Sequence, residues 1–305
     1  MTPTPAGART GGDLYRADRE PEPDPGALRD RAAEAADRAA RVARIEIREL
    51  HTPVEMADAC GLFQHVWQPD TPMISPEMMT VVAHSGGYVA GTYEGDRLVG
   101  AGVGLLSTDG LHSHIAGVDE RSRGREVGYA LKVYQRAWCL ARGITRVTWT
   151  FDPLVGRNAY FNLAKLGAVP AQYLADFYGP MSDAINGDDY SDRILAGWDL
   201  TADRVALACA GTPRPVDAEA LAGEVVLGLD TGPDKRPIPG RTDGDVVLVA
   251  VPRDIEALRR TDPAAARGWR LALREVLGGL MAEGRVVLGF TRDGRYVLGR
   301  GPHSR

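Results

Sequence analysis

The chain has 305 residues, is 44% hydrophobic and 25% charged, and carries a formal net charge of −5, a composition that fits one large or two modest soluble domains. Cys60, Cys139 and Cys209 are scattered, without paired spacing or flanking histidines, which argues against a disulfide framework or a zinc site and fits a reducing, cytoplasmic setting. No secretion signal is read at Met1–Gly7, and no apolar run approaches the ~20 residues that span a bilayer.

In chain order, residues 1 to about 25 are rich in Pro, Gly and charge and cannot bury enough apolar surface to offset ordering entropy, so a disordered tail is expected. Ala27 to Ala43 has high helix propensity but little apolar stripe, which predicts a marginal or a surface helix. Ile45 to Leu50 reads as a strand. Pro53–Trp67 and Pro76–His84 read as helices, each opened by Thr or Ser before a proline at the first helical position. Tyr88–Tyr93 and Leu98–Leu105 form a predicted hairpin, and Asp109-Gly110 turns the chain into a further strand, Leu111–Val118.

That strand runs into Asp119-Glu-Arg-Ser-Arg-Gly-Arg-Glu-Val-Gly128, after which Val127, Leu131, Tyr134, Trp138 and Ala141 recur at helical spacing. The first amides of a helix lack intrahelical partners and lie at the positive end of its dipole, so the turn would aim N–H donors at an anion. Gly124 and Gly128 allow close approach of a ligand to the backbone. Residues 119–146 hold seven basic and three acidic side chains in a chain that is otherwise acidic. A positive island of this size suits an anionic small ligand, and a nucleic-acid binder would carry a broader basic face. Beyond it, Thr145–Asp152 alternates as a strand ended by Pro153, Arg157–Leu166 is a helix stopped by Gly167, and Ala168–Tyr178 and Ile194–Leu200 are further strands.

The order of elements and the turn over residues 45–200 resemble the GNAT superfamily of acyl-CoA-dependent N-acyltransferases. Segments such as Trp149-Thr-Phe-Asp-Pro-Leu154 and Arg157-Asn-Ala-Tyr-Phe-Asn162 are similar to a bacterial branch of predicted acetyltransferases with a C-terminal extension. The resemblance implies an α/β (α+β) fold: a mixed, mostly antiparallel sheet flanked by helices, plus a smaller C-terminal α+β subdomain. The expected division is 1–43 (tail and marginal helix), 44–200 (acyltransferase domain) and 201–305 (extension). It also implies that the turn after the fourth strand grips the coenzyme A pyrophosphate while the fifth strand splays from the fourth to admit the thioester arm. Acetyl-CoA or another acyl-CoA would be the co-substrate, with no metal. A small-molecule amine would be the acceptor, with no nucleic acid or membrane as partner and a homodimer left open.

Carried residue by residue, the cofactor site is expected at Val118, Arg123, Gly124, Arg125, Val127, Gly128 and Asn162. Two departures stand out. Glu126 replaces the middle glycine of the Arg-Gly-x-Gly-x-Gly turn, and its carboxylate should point outward to a basic neighbour. Leu163 stands where many relatives place a tyrosine that protonates the leaving thiolate. Candidates for proton transfer are His114, which alternates with His112 on the strand before the turn, Asp152 at the C-terminal end of the next strand, and Tyr178. Each has a plain structural reading: core histidine, turn aspartate, packing tyrosine. Arg157, Asn158 and Asn162 could serve either the pantetheine arm or an acceptor carboxylate, with Arg157 as a surface cation and Asn158 as a helix cap the alternatives. Asp183, Asn186, Asp192 and Arg193 form a polar loop before the last strand of the domain. It is a plain turn-former loop or, as the resemblance implies, one in which Arg193 binds an anionic acceptor or acyl carboxylate.

In the extension, Val246–Val251 reads as a strand, Asp262-Pro263 opens a helix, and Val286–Phe290 pairs with Tyr296–Leu298. Arg267, Arg270 and Arg274 line one side of that helix, as a solvated face or as a cover over an anionic substrate. Because no cysteine falls in the recognisable site, direct attack of the amine on the thioester is expected. The rival reading, prompted by Glu126 and Leu163, is a non-catalytic acyl-CoA-binding or regulatory module.

Overall fold

The computed structural model describes residues 24–68, 73–179 and 189–301. Nearly all of the expected tail, and Asp183 and Asn186 of the polar loop, lie outside the described residues. The described chain opens with helix α1 (Pro25–Ala43), capped by the Asp24 carboxylate on the Gly26 amide, with proline in its first turn. This helix is not marginal. Leu28 and the alanine stripe Ala32, Ala35, Ala36, Ala39 and Ala43 are buried, and they belong to the same core as α4 (Val127–Ala141). Alanines contribute little to an apolar pattern read from sequence, yet their small size lets two helices approach closely. α4 is therefore covered on both sides, by the sheet and by α1.

Strand β1 (Glu46–Glu49), helices α2 (Pro53–Trp67) and α3 (Pro76–His84), and strands β2 (Tyr88–Glu94), β3 (Arg97–Ser107) and β4 (Gly110–Val118) follow. α2 begins with a complete capping box between Thr52 and Glu55. Next come β5 (Arg146–Phe151), α5 (Gly156–Tyr160) running into a π turn at Phe161–Lys165, β6 (Val169–Leu174) and β7 (Arg193–Asp199). The seven-stranded sheet has the order β1-β2-β3-β4-β5-β7-β6. All its neighbours are antiparallel except β4 and β5. β6 stops four residues short of the expected end, because the chain turns at Asp176, whose φ is +47°; Tyr178 thus sits on a turn.

After α6 (Asp203–Cys209), a second sheet of five strands has the order β11-β12-β10-β8-β9. It comprises β8 (Val225–Thr231), β9 (Pro237–Pro239), β10 (Val246–Ala250), β11 (Val286–Phe290) and β12 (Arg295–Gly299). Helices α7 (Ile255–Thr261), α8 (Pro263–Leu273) and α9 (Gly279–Ala282) lie between β10 and β11 in sequence. One hydrophobic cluster runs from Leu28 through Trp198 to Trp269, so the extension shares its core with the preceding sheet. Tyr296 crosses the boundary directly, donating its hydroxyl to the Pro153 carbonyl at 2.8 Å. A second, smaller cluster sits under α2 and α3 around Met56, Phe63, Met79 and Ile115.

Candidate active site

The site is framed by the way β4 and β5 part. Their parallel ladder holds two pairs, Leu111↔Val147 and His112↔Thr148. β4 then continues to Val118 and β5 to Phe151, so a wedge opens between them toward their C-terminal ends. On its other edge β4 pairs with β3, where Ser113 faces Gly104 and Ile115 faces Val103. His114 is the extra residue of this β-bulge, and such a residue is left unpaired in the ladder.

At the mouth of the wedge, Asp119 turns the chain by accepting the Arg121 amide at 2.8 Å, and Gly124 adopts φ +73°. Glu126 takes φ +63°, a left-handed conformation that ordinarily favours glycine. The helix α4 that follows has no side-chain cap, so its first amides are open to an anion. Arg123 is about half exposed and lies 3.7 Å from Glu120, whereas Arg125 is ion-paired with Glu94. Glu126 faces the basic Lys165, accepting bonds of 2.8 and 2.6 Å from its ammonium. Val127 is buried beneath the helix start. A Cβ on Gly128 would meet Val118 at an ordinary 3.5 Å. Asn162, expected at the cofactor, is buried in the π turn.

One face of the sheet at the wedge is polar. His112 Nδ1 lies 3.1 Å from the Thr148 hydroxyl, and the His112 and His114 rings are 6.5 Å apart. Burial lowers the pKa of both, with His114 and Lys132 adding to the effect at His112, so both imidazoles are neutral at pH 7 and can accept a proton. Further along β5, Thr150 and Tyr178 share a hydroxyl–hydroxyl bond of 2.9 Å, and the Arg193 guanidinium stacks over the Tyr178 ring at 5.4 Å. His114, Tyr178 and Arg193 therefore share this region, together with His112.

Asp152 does not belong to that set. It is 7% exposed, with Oδ1 and Oδ2 each accepting a 2.9 Å bond from Arg270 and Oδ2 a further 2.7 Å bond from Arg259. Burial alone would raise its pKa, but Arg270 and then Arg259 outweigh it and hold the carboxyl well below the usual carboxylate range. A permanently ionised, doubly clamped carboxylate is no general base; it is the seat of the C-terminal extension. Asp189 extends the network to Arg259 and Arg270 at 3.1 Å each, and Asp192 binds Arg274 at 2.9 Å and the Tyr173 hydroxyl at 2.6 Å. In the row Arg267, Arg270 and Arg274, Arg267 is exposed as a solvated face predicts, whereas Arg270 is fully buried and Arg274 partly so. Arg270 and Arg274 clamp carboxylates of the first sheet's domain, and Arg267 donates to the Tyr190 hydroxyl at 3.0 Å.

Arg157 is likewise engaged, in a two-bond pair with Glu256 of α7 at 2.6 and 2.5 Å. Asn158 is not a cap, since Val155 precedes the helix and no side chain caps it. The sequence reading missed Lys132, which is buried at the point where the strands part. Its ammonium donates to Ser113 on β4 at 3.3 Å and to Gln135 at 2.6 Å, and it lies 3.9 Å from the Trp149 ring centroid on β5. Burial without a carboxylate partner lowers its pKa to about 7. Its sole sequence signal was a basic residue on the inward face of the helix.

A strand order of β1-β2-β3-β4-β5-β7-β6, a parallel β4–β5 pair that parts after two residues, and an uncapped helix start beside the gap define one architecture. This half of the chain is a mixed α/β fold built on a mostly antiparallel sheet flanked by helices. No family sequence profile matches the chain, and no curated protein matches it either. Similar solved structures include the ribosomal-protein-S18-alanine N-acetyltransferase of Escherichia coli (14% identity, 52% of this chain and 95% of that one, TM-score 0.44). Another is an N-acetyltransferase of Staphylococcus aureus (13% identity, 51% and 98%, TM-score 0.44). A third is a putative acetyltransferase of Salmonella typhimurium solved with acetyl-CoA (13% identity, 51% and 94%, TM-score 0.43).

Proposed function

We propose that the protein transfers an acetyl or other small acyl group from acyl-CoA to the amine of a small metabolite. The observation that carries this reading is the wedge between β4 and β5 beneath the uncapped, basic start of α4. Phosphate oxygens of the donor would meet the α4 amides and Arg123, and the thioester would lie in the wedge, its carbonyl polarised by the backbone N–H at the His114 bulge. His112 or His114 takes the proton from the attacking ammonium. The free amine then adds to the carbonyl, the C–S bond breaks as Tyr178 gives its proton to the departing thiolate, and the tyrosinate so formed takes the remaining proton from the nitrogen of the new amide. Direct attack is favoured because Cys139 and Cys209 are buried, which pushes their thiols up to about 12 and about 11, and the thiolate is the nucleophilic form.

A scan of amines against acyl-CoA donors, following free thiol, tests this reading. Turnover of at least one pair that falls by 10²–10⁴-fold in the His112→Ala/His114→Ala variant is expected for loss of a general base. Tight coenzyme A binding with no turnover of any pair would favour the non-catalytic module. The ion pairs at Arg125 and Glu126, which offset charge at the turn, give that second reading its footing.

A further inference from the structure

The extension does more than seal the end of β5. A cleft of about 300 Å³ lies beside the phosphate turn, with Glu120 and Arg123 on one wall, Arg157 on a second, and Glu256 and Arg260 of α7 on a third. Glu256 and Arg260 are four residues apart and so share one helix face. Arg259 points elsewhere, into the buried pairs with Asp152 and Asp189. That buried anchor fixes the rotation of α7 and sets Arg260 toward the cleft. Glu256 is consumed by Arg157, and Glu120 is highly exposed and at 3.7 Å from Arg123. Arg260 is exposed and has no carboxylate partner among the described residues. The cleft thus gathers three guanidinium groups from three elements, one of them uncompensated, next to helix amides already open to an anion.

We infer that α7 completes the donor site, with Arg260 binding a phosphate of the acyl-CoA, so that the C-terminal extension is part of the cofactor cleft. This inference rests on the acyl-CoA reading above. Guanidinium and phosphate form charge-assisted, often two-bond contacts. An exposed arginine with no partner also has no evident role in folding, so its substitution leaves the fold intact.

The test is calorimetric titration of coenzyme A and of pantetheine, which lacks the phosphates, into full-length wild type and the Arg260→Ala, Arg260→Lys and Arg123→Ala variants. Arg260→Ala should weaken coenzyme A by roughly tenfold, the scale of one charge-assisted contact, leave pantetheine unchanged, and be partly rescued by Arg260→Lys. If Arg123→Ala weakens coenzyme A while Arg260→Ala binds it within about twofold of wild type, the inference falls and the acyl-CoA reading stands. If Arg260→Ala changes only the KM of the amine, the inference is again overturned. If coenzyme A binds to none of the proteins, the underlying reading itself fails.

Discussion

Two buried cations, Lys132 beside Trp149 within β5 and Arg270 at Asp152 just beyond it, have opposite surroundings. Arg270 is fully buried yet bonded to two carboxylates, Asp152 and Asp189. Burial would lower its pKa, but those carboxylates win and raise it. Lys132 is 6% exposed and has a serine, a glutamine and two indole rings for company, and there burial wins. At Arg270, charge is locked and ties the extension to the end of β5; at Lys132, where β4 and β5 part, protonation is adjustable. Charge alone predicts neither outcome, because both residues look like ordinary basic positions on helices.

The largest expected effect breaks the Arg270 pairs. Arg270→Met leaves Asp152 and Asp189 short of a counter-charge and should cost about 3–5 kcal/mol, as for other half-removed buried pairs, read as a lower urea midpoint. Less than about 1 kcal/mol, the scale of an exposed pair, would show that the network is not a clamp. The Asp152→Asn/Arg270→Met double variant should cost less than the two single changes together, because one substitution removes the partner the other would have stranded.

The next effect concerns Lys132. Lys132 in the folded protein titrates at about 7 against 10.5 for an unperturbed lysine. Between these values the unfolded chain binds a proton that the folded chain does not, so stability rises with pH across this window and is lowest below it. Lys132→Met should remove that slope and stabilise the protein most at pH 6. Equal slopes for wild type and variant in unfolding series from pH 6 to pH 10 would contradict the assignment. The smallest effect is expected at Arg274, whose pair with Asp192 is partly exposed; Arg274→Ala should cost about 1–2 kcal/mol, well below Arg270→Met.

Much of the fold was legible in the sequence. The β2–β3 hairpin, α2, α3, β4, α4 and β5 begin and end within a few residues of their expected places, because turn residues and caps act locally. The outward course of Glu126 to a basic residue was also legible, although its partner Lys165 was not. What escaped is long-range. Asp152 reads as a free carboxylate at a strand end because its partners lie 107 and 118 residues away. The positive island after β4 was overcounted for the same reason: Lys132 and Arg136 are buried, the latter donating to the Leu200 carbonyl, and Arg142 pairs with Glu49. α1 escaped because an alanine stripe has weak apolar contrast, yet fits closely against α4.

The most direct test of the central claim is thermal unfolding of the full-length protein with and without coenzyme A, for wild type and for Arg123→Ala/Arg125→Ala. A site at the α4 turn predicts that ligand at about 100 times its Kd stabilises wild type by about 2.7 kcal/mol and that the double variant loses most of this gain. An unchanged wild-type transition at millimolar coenzyme A would contradict it, as would a gain retained in full by the double variant.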